Sequence, residues 1–258
     1  MIRYAANLTL LFTEWTFEDR FCAARDAGFK AVEFSFPQDI SPAEVAGELR
    51  RTGLRQVLST APVRQGTKGL AASPGRVSDF RDDVMQGLEY AVEGNSPLMH
   101  VLSGVVDPTD YQACSAVFSE NMHWAVEAAG RYDVKIVIEA INQHALPNYF
   151  IRTLADAANW TRQVQGLGLI LDLYHAVKEG KDSVACLKHY LRDSDHVQIA
   201  GYQGRNEPDL GNVKTAEALK FISTHPYPGW VGCEYLPSNG TLNGIGWLNQ
   251  PLPVIQRS

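Results

Sequence analysis

The stretch Lys135-Ile136-Val137-Ile138-Glu139-Ala140-Ile141 is a nearly unbroken apolar run carrying one acid, and Leu167-Gly168-Leu169-Ile170-Leu171-Asp172-Leu173 repeats the design downstream. Runs that are apolar at successive positions suit strands covered on both faces, as in a parallel sheet with helices packed outside it. Between the two, Thr153 to Val164 has apolar residues at helical spacing. Strand, helix, strand is therefore the local unit.

Outward from this unit the alternation continues in both directions. Further strand candidates are Tyr4 to Leu8, Ala31 to Phe36, Gln56 to Thr60, Leu98 to Ser103, His196 to Ala200 and Trp230 to Tyr235. Helical spacing marks Thr16 to Ala27, Ser41 to Arg51, Val77 to Glu93, Tyr111 to Arg131, Asp182 to Leu191 and Thr215 to Thr224. Several of these open at a capping residue, such as Thr16 or Ser41, and several stop at glycine, as at Gly28, Gly53, Gly94 and Gly130. Eight strand-helix repeats in 258 residues predict an α/β chain closed into a single (β/α)8 TIM barrel rather than an open doubly wound sheet. No Pro, Gly or Ser linker divides residues 1–258. The segment 240–258 lacks periodicity and is expected as a C-terminal tail that wraps the barrel or meets a second subunit, with Trp247, Pro251 and Pro253 available for either.

Composition narrows the partners. With 23 Lys plus Arg against 29 Asp plus Glu, the net charge is −6, which repels phosphate backbones and anionic lipid. No local run of Lys and Arg offsets it, so neither nucleic acid nor membrane is expected as a partner. The apolar stretch nearest the start, Leu8 to Phe12, is far short of a membrane span or a signal-peptide core. A cytoplasmic location is expected. Cys22, Cys114, Cys186 and Cys233 are scattered without a Cys-x-x-Cys pair and are read as reduced thiols.

In such a barrel the chemistry sits at the C-terminal ends of the strands. There the last four strands carry Glu139, Asp172, Gln198 and Glu234, each interrupting an apolar run. A lone buried charge is costly, so four interruptions on successive strands point to one shared counter-charge. Pairing with Arg or Lys is the alternative, but no strand contributes an obvious buried cation. Three carboxylates and an amide oxygen match a hard divalent cation, Mg²⁺ or Mn²⁺, better than zinc. His175, three residues past Asp172, and Arg205, in the loop after strand seven, are expected to bind substrate, Arg205 by gripping a carboxylate. Asn7, Glu33 and His100 stand on strands one, two and four and could face the same pocket. Such a metal acidifies the C–H of a hydroxy-carbonyl compound and stabilises its enediolate. Glu139 and Glu234, on strands five and eight, could then remove and return the proton.

Ala6-Asn7-Leu8, Gly28-Phe29-Lys30-Ala31-Val32-Glu33-Phe34, Pro74-Gly75-Arg76, Ile138-Glu139-Ala140-Ile141-Asn142, Leu171-Asp172-Leu173-Tyr174-His175, His196-Val197-Gln198-Ile199-Ala200 and Gly229-Trp230-Val231-Gly232-Cys233-Glu234-Tyr235 together resemble the hydroxypyruvate isomerase family, in order and almost to the end of the chain. Thr13-Glu14, Thr60-Ala61-Pro62 and His100-Val101 are similar to its 2-oxo-tetronate isomerase branch. The resemblance implies a xylose isomerase-like barrel and a metal-dependent isomerisation of small hydroxy-oxo acids. It implies Glu139, Asp172, Gln198 and Glu234 as ligands, with Glu139 and Glu234 as the proton-transfer pair. Ser59, Leu236 and Asn212 depart from the family pattern, which bears on the identity of the substrate. A sugar 3-epimerase, a non-catalytic sugar-acid binding protein and phosphoester hydrolysis of the endonuclease IV type are the other readings; the last normally wants a His-rich metal cluster and a basic groove.

Overall fold

Eight parallel strands pair in chain order and close on themselves: β1 (Tyr4–Asn7), β2 (Ala31–Glu33), β3 (Arg55–Thr60), β4 (Leu98–His100), β5 (Lys135–Glu139), β6 (Gly168–Asp172), β7 (His196–Ile199) and β8 (Val231–Cys233), with β8 bonded back to β1. The computed structural model describes residues 2–252. Outside the ring lie α1 (Phe17–Asp26), α2 (Pro42–Thr52), α3 (Val77–Glu93), α4 (Tyr111–Gly130), α5 (Leu154–Gln163), α6 (Leu173–Lys178), α7 (Ser183–Tyr190) and α8 (Val213–Thr224), with a single-turn α9 (Thr241–Gly244) near the end. The expected (β/α)8 barrel is the observed architecture.

Local chemistry starts and stops the helices where the sequence indicates. Ser41 accepts from the backbone N–H of Glu44 while the Glu44 carboxylate accepts from the N–H of Ser41, and Pro42 fills the first turn. Thr153 and Asp156 make the same reciprocal pair before α5. Gly53 ends α2 at φ 71°, a conformation that costs a glycine little.

Alternation along each strand sorts the core. Ile136 and Ile138 of β5 face outward into the apolar layer beneath the helices, whereas Val137 packs with Leu58 and Ile170. Below the mouth the barrel is thus plugged with hydrocarbon, and the next inward position toward the C-terminal ends carries the polar groups.

Several strands are shorter than expected. β2 stops at Glu33, β4 at His100, β5 at Glu139 and β8 at Cys233. The apolar residues beyond them, Phe34, Val101 and Tyr235, are buried under the loops instead, so hydrophobicity alone could not mark where pairing ends. The expected strand through Leu173 loses that residue to α6, a helix the sequence reading lacked; Asp172 caps it by accepting from the N–H of His175 at 3.0 Å.

The described part of the tail packs on the barrel. Trp247 is buried, meets Tyr4 edge-on at 5.2 Å and donates to the Tyr235 hydroxyl. Pro251 is exposed, and Pro253 lies outside the described residues. Thr241, also buried, ties this segment to the loop after β1. Its Oγ1 accepts from the N–H of Phe12 at 2.6 Å and donates to Glu14, whose carboxylate also accepts the Thr241 N–H. Phe12 sits at φ 60°, an uncommon conformation for a bulky residue, and this bond helps to hold it there. Thr241→Val leaves the buried Phe12 N–H without an acceptor, at a cost of about 1–3 kcal/mol. A fall in Tm of roughly 2–4 °C per kcal/mol is expected by thermal denaturation; an unchanged Tm would refute the role.

Candidate active site

The strands deliver their inward side chains to one polar chamber at the barrel mouth. Asn7, Glu33, His100, Glu139 and Asp172 are the last residues of β1, β2, β4, β5 and β6. Gln198 stands one residue before the end of β7, and Glu234 just past β8. All but Glu234 are buried, and Glu234 keeps 20% of its side chain exposed.

Glu33 is the hub of the inner layer. Its Oε1 accepts from Asn7 Nδ2 at 3.0 Å and Gln198 Nε2 at 2.9 Å, and its Oε2 lies 2.5 Å from His196 Nε2. Burial works to raise its pKa, but His196 and these hydrogen bonds outweigh burial and hold the carboxyl below the usual range. Gly232 is where the carboxylate crosses the barrel: a Cβ there would stand 2.4 Å from Glu33 Oε2. Because the Gln198 amide nitrogen is committed to Glu33, its carbonyl oxygen turns away, buried and without a hydrogen bond.

The outer layer is a cluster of acids. Burial, then the neighbouring Glu234 and Asp172, push Glu139 well above the carboxylate range, and its Oε1 also lacks a hydrogen bond. Burial raises Asp172 against the opposing pull of Arg205 and of the His175 N–H. Burial likewise lifts Glu234 to about 7 although Arg205 opposes it. Arg205 Nη2 lies 2.8 Å from Glu234 and 3.9 Å from Asp172. The loop after β7 therefore supplies a cation for two of the acids, which reading the strands alone did not reveal. Arg205 is held at φ 57° by a hydrogen bond from the Leu236 N–H to its carbonyl and by stacking over Tyr174 at 5.2 Å.

Two histidines border the acids as neutral groups. Burial pushes both His100 and His175 down to about 4. His100 Nε2 lies 3.9 Å from Glu139 and makes no hydrogen bond. His175 Nε2 lies 3.4 Å from Glu139 Oε1 and 3.9 Å from Asp172 Oδ2. Sequence reading missed two residues here. His196, two positions before Gln198 on β7 and hence on the same face, could have been found by strand periodicity; Asn142, which contacts His175, carried no distinguishing signal of its own.

The chamber fits a divalent cation. Among the described residues, Glu139, Asp172 and His175 each bring a donor atom within 4.8 Å of the others. Three buried oxygens, Glu139 Oε1, Gln198 Oε1 and Glu234 Oε2, lack the hydrogen bond that buried acceptors require, the last having only its ion pair with Arg205, and three clustered carboxylates face a single guanidinium. Hard oxygen donors are the set that Mg²⁺ or Mn²⁺ prefers.

These shifts set the response of the metal-free protein to pH. Glu234 titrates near 7 in the fold against an ordinary 4.5, so the folded state holds the extra proton and stability falls as pH rises between those values. Glu139 and Asp172 act in the same direction. His100 and His175, ordinarily at 6.5 and here about 4, act oppositely and add stability as pH rises to 6.5. Above 6.5 the acids act alone. Metal-stripped protein is therefore expected to lose Tm from pH 6.5 upward through 7, and excess Mg²⁺ or Mn²⁺ to raise Tm more at the alkaline end. A Tm that climbs over this range would overturn the assignment of the cluster.

Sequence and structure place these features among known proteins. Residues 21–250 match the xylose isomerase-like TIM barrel family. The chain is 38% identical over 254 residues to a 2-oxo-tetronate isomerase of Cupriavidus necator, covering 96% of this chain and 98% of that one. It is 30% identical to the hydroxypyruvate isomerase of Escherichia coli, covering 96% and 99%. A Brucella melitensis protein described as an AP endonuclease of family 2 superposes with a TM-score of 0.92 at 35% identity, over 96% and 98%. The 3-keto-D-glucoside 4-epimerase of E. coli, with a TM-score of 0.77 at 17% identity over 96% and 99%, shares the fold alone. The chain belongs to the xylose isomerase-like TIM barrel family, alongside the 2-oxo-tetronate and hydroxypyruvate isomerases.

Proposed function

We propose that the protein interconverts the keto and hydroxy groups of small hydroxy-oxo acids, either hydroxypyruvate with tartronate semialdehyde or 2-oxo-tetronate with 3-oxo-tetronate. The observation that carries this reading is the convergence of Glu139 and Glu234 from strands five and eight on one chamber with Asp172 and the unpartnered Gln198 oxygen. Glu139, Asp172, Gln198 and Glu234 are the residues to hold Mg²⁺ or Mn²⁺, which when bound polarises the substrate carbonyl and stabilises negative charge on its oxygens. One glutamate takes the proton from the hydroxyl-bearing carbon, leaving an enediolate, and the other returns a proton to the former carbonyl carbon. The hydroxyl proton passes between the two oxygens, so no hydrogen is gained or lost.

The remaining groups orient the substrate. Arg205 offers its guanidinium to the carboxylate, which competes there with Glu234. Neutral His175 and His100 serve the hydroxyl and carbonyl oxygens, while the Asn7 amide nitrogen is held by Glu33. The burial of these groups limits access of water to the enediolate. Phosphoester hydrolysis, in keeping with the name of the Brucella relative, fits the chamber less well. A phosphate chain would meet three carboxylates, on a chain of net charge −6.

Enzyme supplied with Mg²⁺ or Mn²⁺ in D₂O is expected to place solvent deuterium into hydroxypyruvate or an oxotetronate, read by mass spectrometry. Glu139→Gln and Glu234→Gln should each lower that exchange about 10²- to 10⁴-fold, the range for removing one acid-base group, without unfolding the protein. Exchange retained in either variant removes that residue from the mechanism.

A further inference from the structure

We propose that Asn142 is a positioning residue that fixes His175 as the tautomer protonated on Nε2, making His175 a hydrogen-bond donor to the chamber and keeping it out of the metal-ligand set. The side-chain amide of Asn142 has one orientation available. Its Oδ1 accepts from the backbone N–H of Ala145 at 2.8 Å, and turning the amide over would set two donors against each other. The amide nitrogen therefore faces His175, at 2.6 Å from Nδ1. The backbone N–H of Asn142 points at the same ring nitrogen from 3.3 Å. Nδ1 thus lies between two donors and must be the lone-pair nitrogen, which in a neutral imidazole leaves the proton on Nε2.

That proton faces Glu139 Oε1, 3.4 Å away. Glu139, Asp172 and His175 are close enough together to be taken for a metal triad, but ligation through Nε2 would need that nitrogen's lone pair, and hence the proton on Nδ1, where both neighbours are donors. The hydrogen-bonding around the ring therefore selects the four oxygen donors and assigns His175 to the substrate. Asn142 and His175 are both buried, so water does not supply an alternative acceptor. The tautomer itself stands on these contacts alone; the role of the Nε2 proton toward a substrate oxygen rests on the isomerase reading.

The test is long-range ¹H–¹⁵N correlation spectroscopy of the full-length ¹⁵N-labelled protein, without metal and with Mg²⁺, with His175→Gln to assign the resonances. The expected wild-type pattern is a protonated Nε2 and an unprotonated Nδ1, both unchanged by Mg²⁺. In Asn142→Asp the nitrogen facing Nδ1 becomes an acceptor, so the proton should move to Nδ1, with kcat falling about 10- to 100-fold, the usual effect of losing an orienting partner, and KM changing less. Asn142→Ala, which keeps the backbone donor, should retain the Nε2 proton in part. A protonated Nδ1 in the wild type, loss of the Nε2 proton on adding Mg²⁺, or an unaltered tautomer in Asn142→Asp would each overturn the proposal. A correct tautomer in a protein that exchanges no deuterium would instead sink the isomerase reading and leave the positioning role standing.

Discussion

The mouth of the barrel is arranged around the carboxylate of Glu33, shut in between His196, Gln198 and Asn7. A buried anion is tolerated only when its lone pairs are occupied, and here three side chains from two other strands, β1 and β7, do so. Their convergence has two structural consequences. β8 must carry glycine at position 232, since any side chain there would collide with the carboxylate. The Gln198 amide has its orientation decided for it, so its carbonyl oxygen is left pointing elsewhere. An acid that takes no direct part in the proposed chemistry thus orients a group that does.

Charge in the outer layer follows the opposite logic. Glu33 is held ionised by its donors, whereas Glu139, Asp172 and Glu234 crowd one another and are all raised. The two histidines nearby do not relieve them, because burial keeps both neutral, and Arg205 reaches only one carboxylate closely. The chamber is thereby left with carboxyls that take up protons for want of enough cations, and with Glu139 Oε1, Gln198 Oε1 and Glu234 Oε2 lacking a hydrogen bond. This is the electrostatic state that favours taking up a divalent cation, and it means that part of the chain's net charge of −6 belongs to the chamber rather than to the surface.

Much of this was legible in the sequence because a barrel turns linear position into spatial convergence. Once Ile136-Val137-Ile138 and Leu169-Ile170-Leu171 are read as strands, Glu139 and Asp172 must meet at the same rim. What stayed hidden depends on groups that meet only in three dimensions. Arg205 is expected at this rim, but its pairing with Glu234 depends on the path of a loop that no periodicity encodes. His196 reads as one more polar interruption until Glu33 is seen across the barrel. The first turn of α6 is invisible to hydrophobic spacing because Leu173 continues the apolar run of β6; only Asp172, a capping residue as well as a chamber acid, marks the change.

The three departures from the family pattern prove unequal once placed. Asn212 caps α8, accepting from the N–H groups of Lys214 and Thr215, a role that its short amide fills well. Ser59 is buried and donates to the Leu98 carbonyl, within the β3–β4 pairing. Leu236 alone is exposed, at 50%, and its N–H is bonded to the Arg205 carbonyl. That backbone bond sets residue 236 beside Arg205. With leucine there, Arg205 keeps the acid cluster to itself among the described residues, and the rim beside it is apolar. Of the three positions, residue 236 is therefore the one placed to alter which hydroxy-oxo acid is accepted, since it borders the group that would grip the acid's carboxylate.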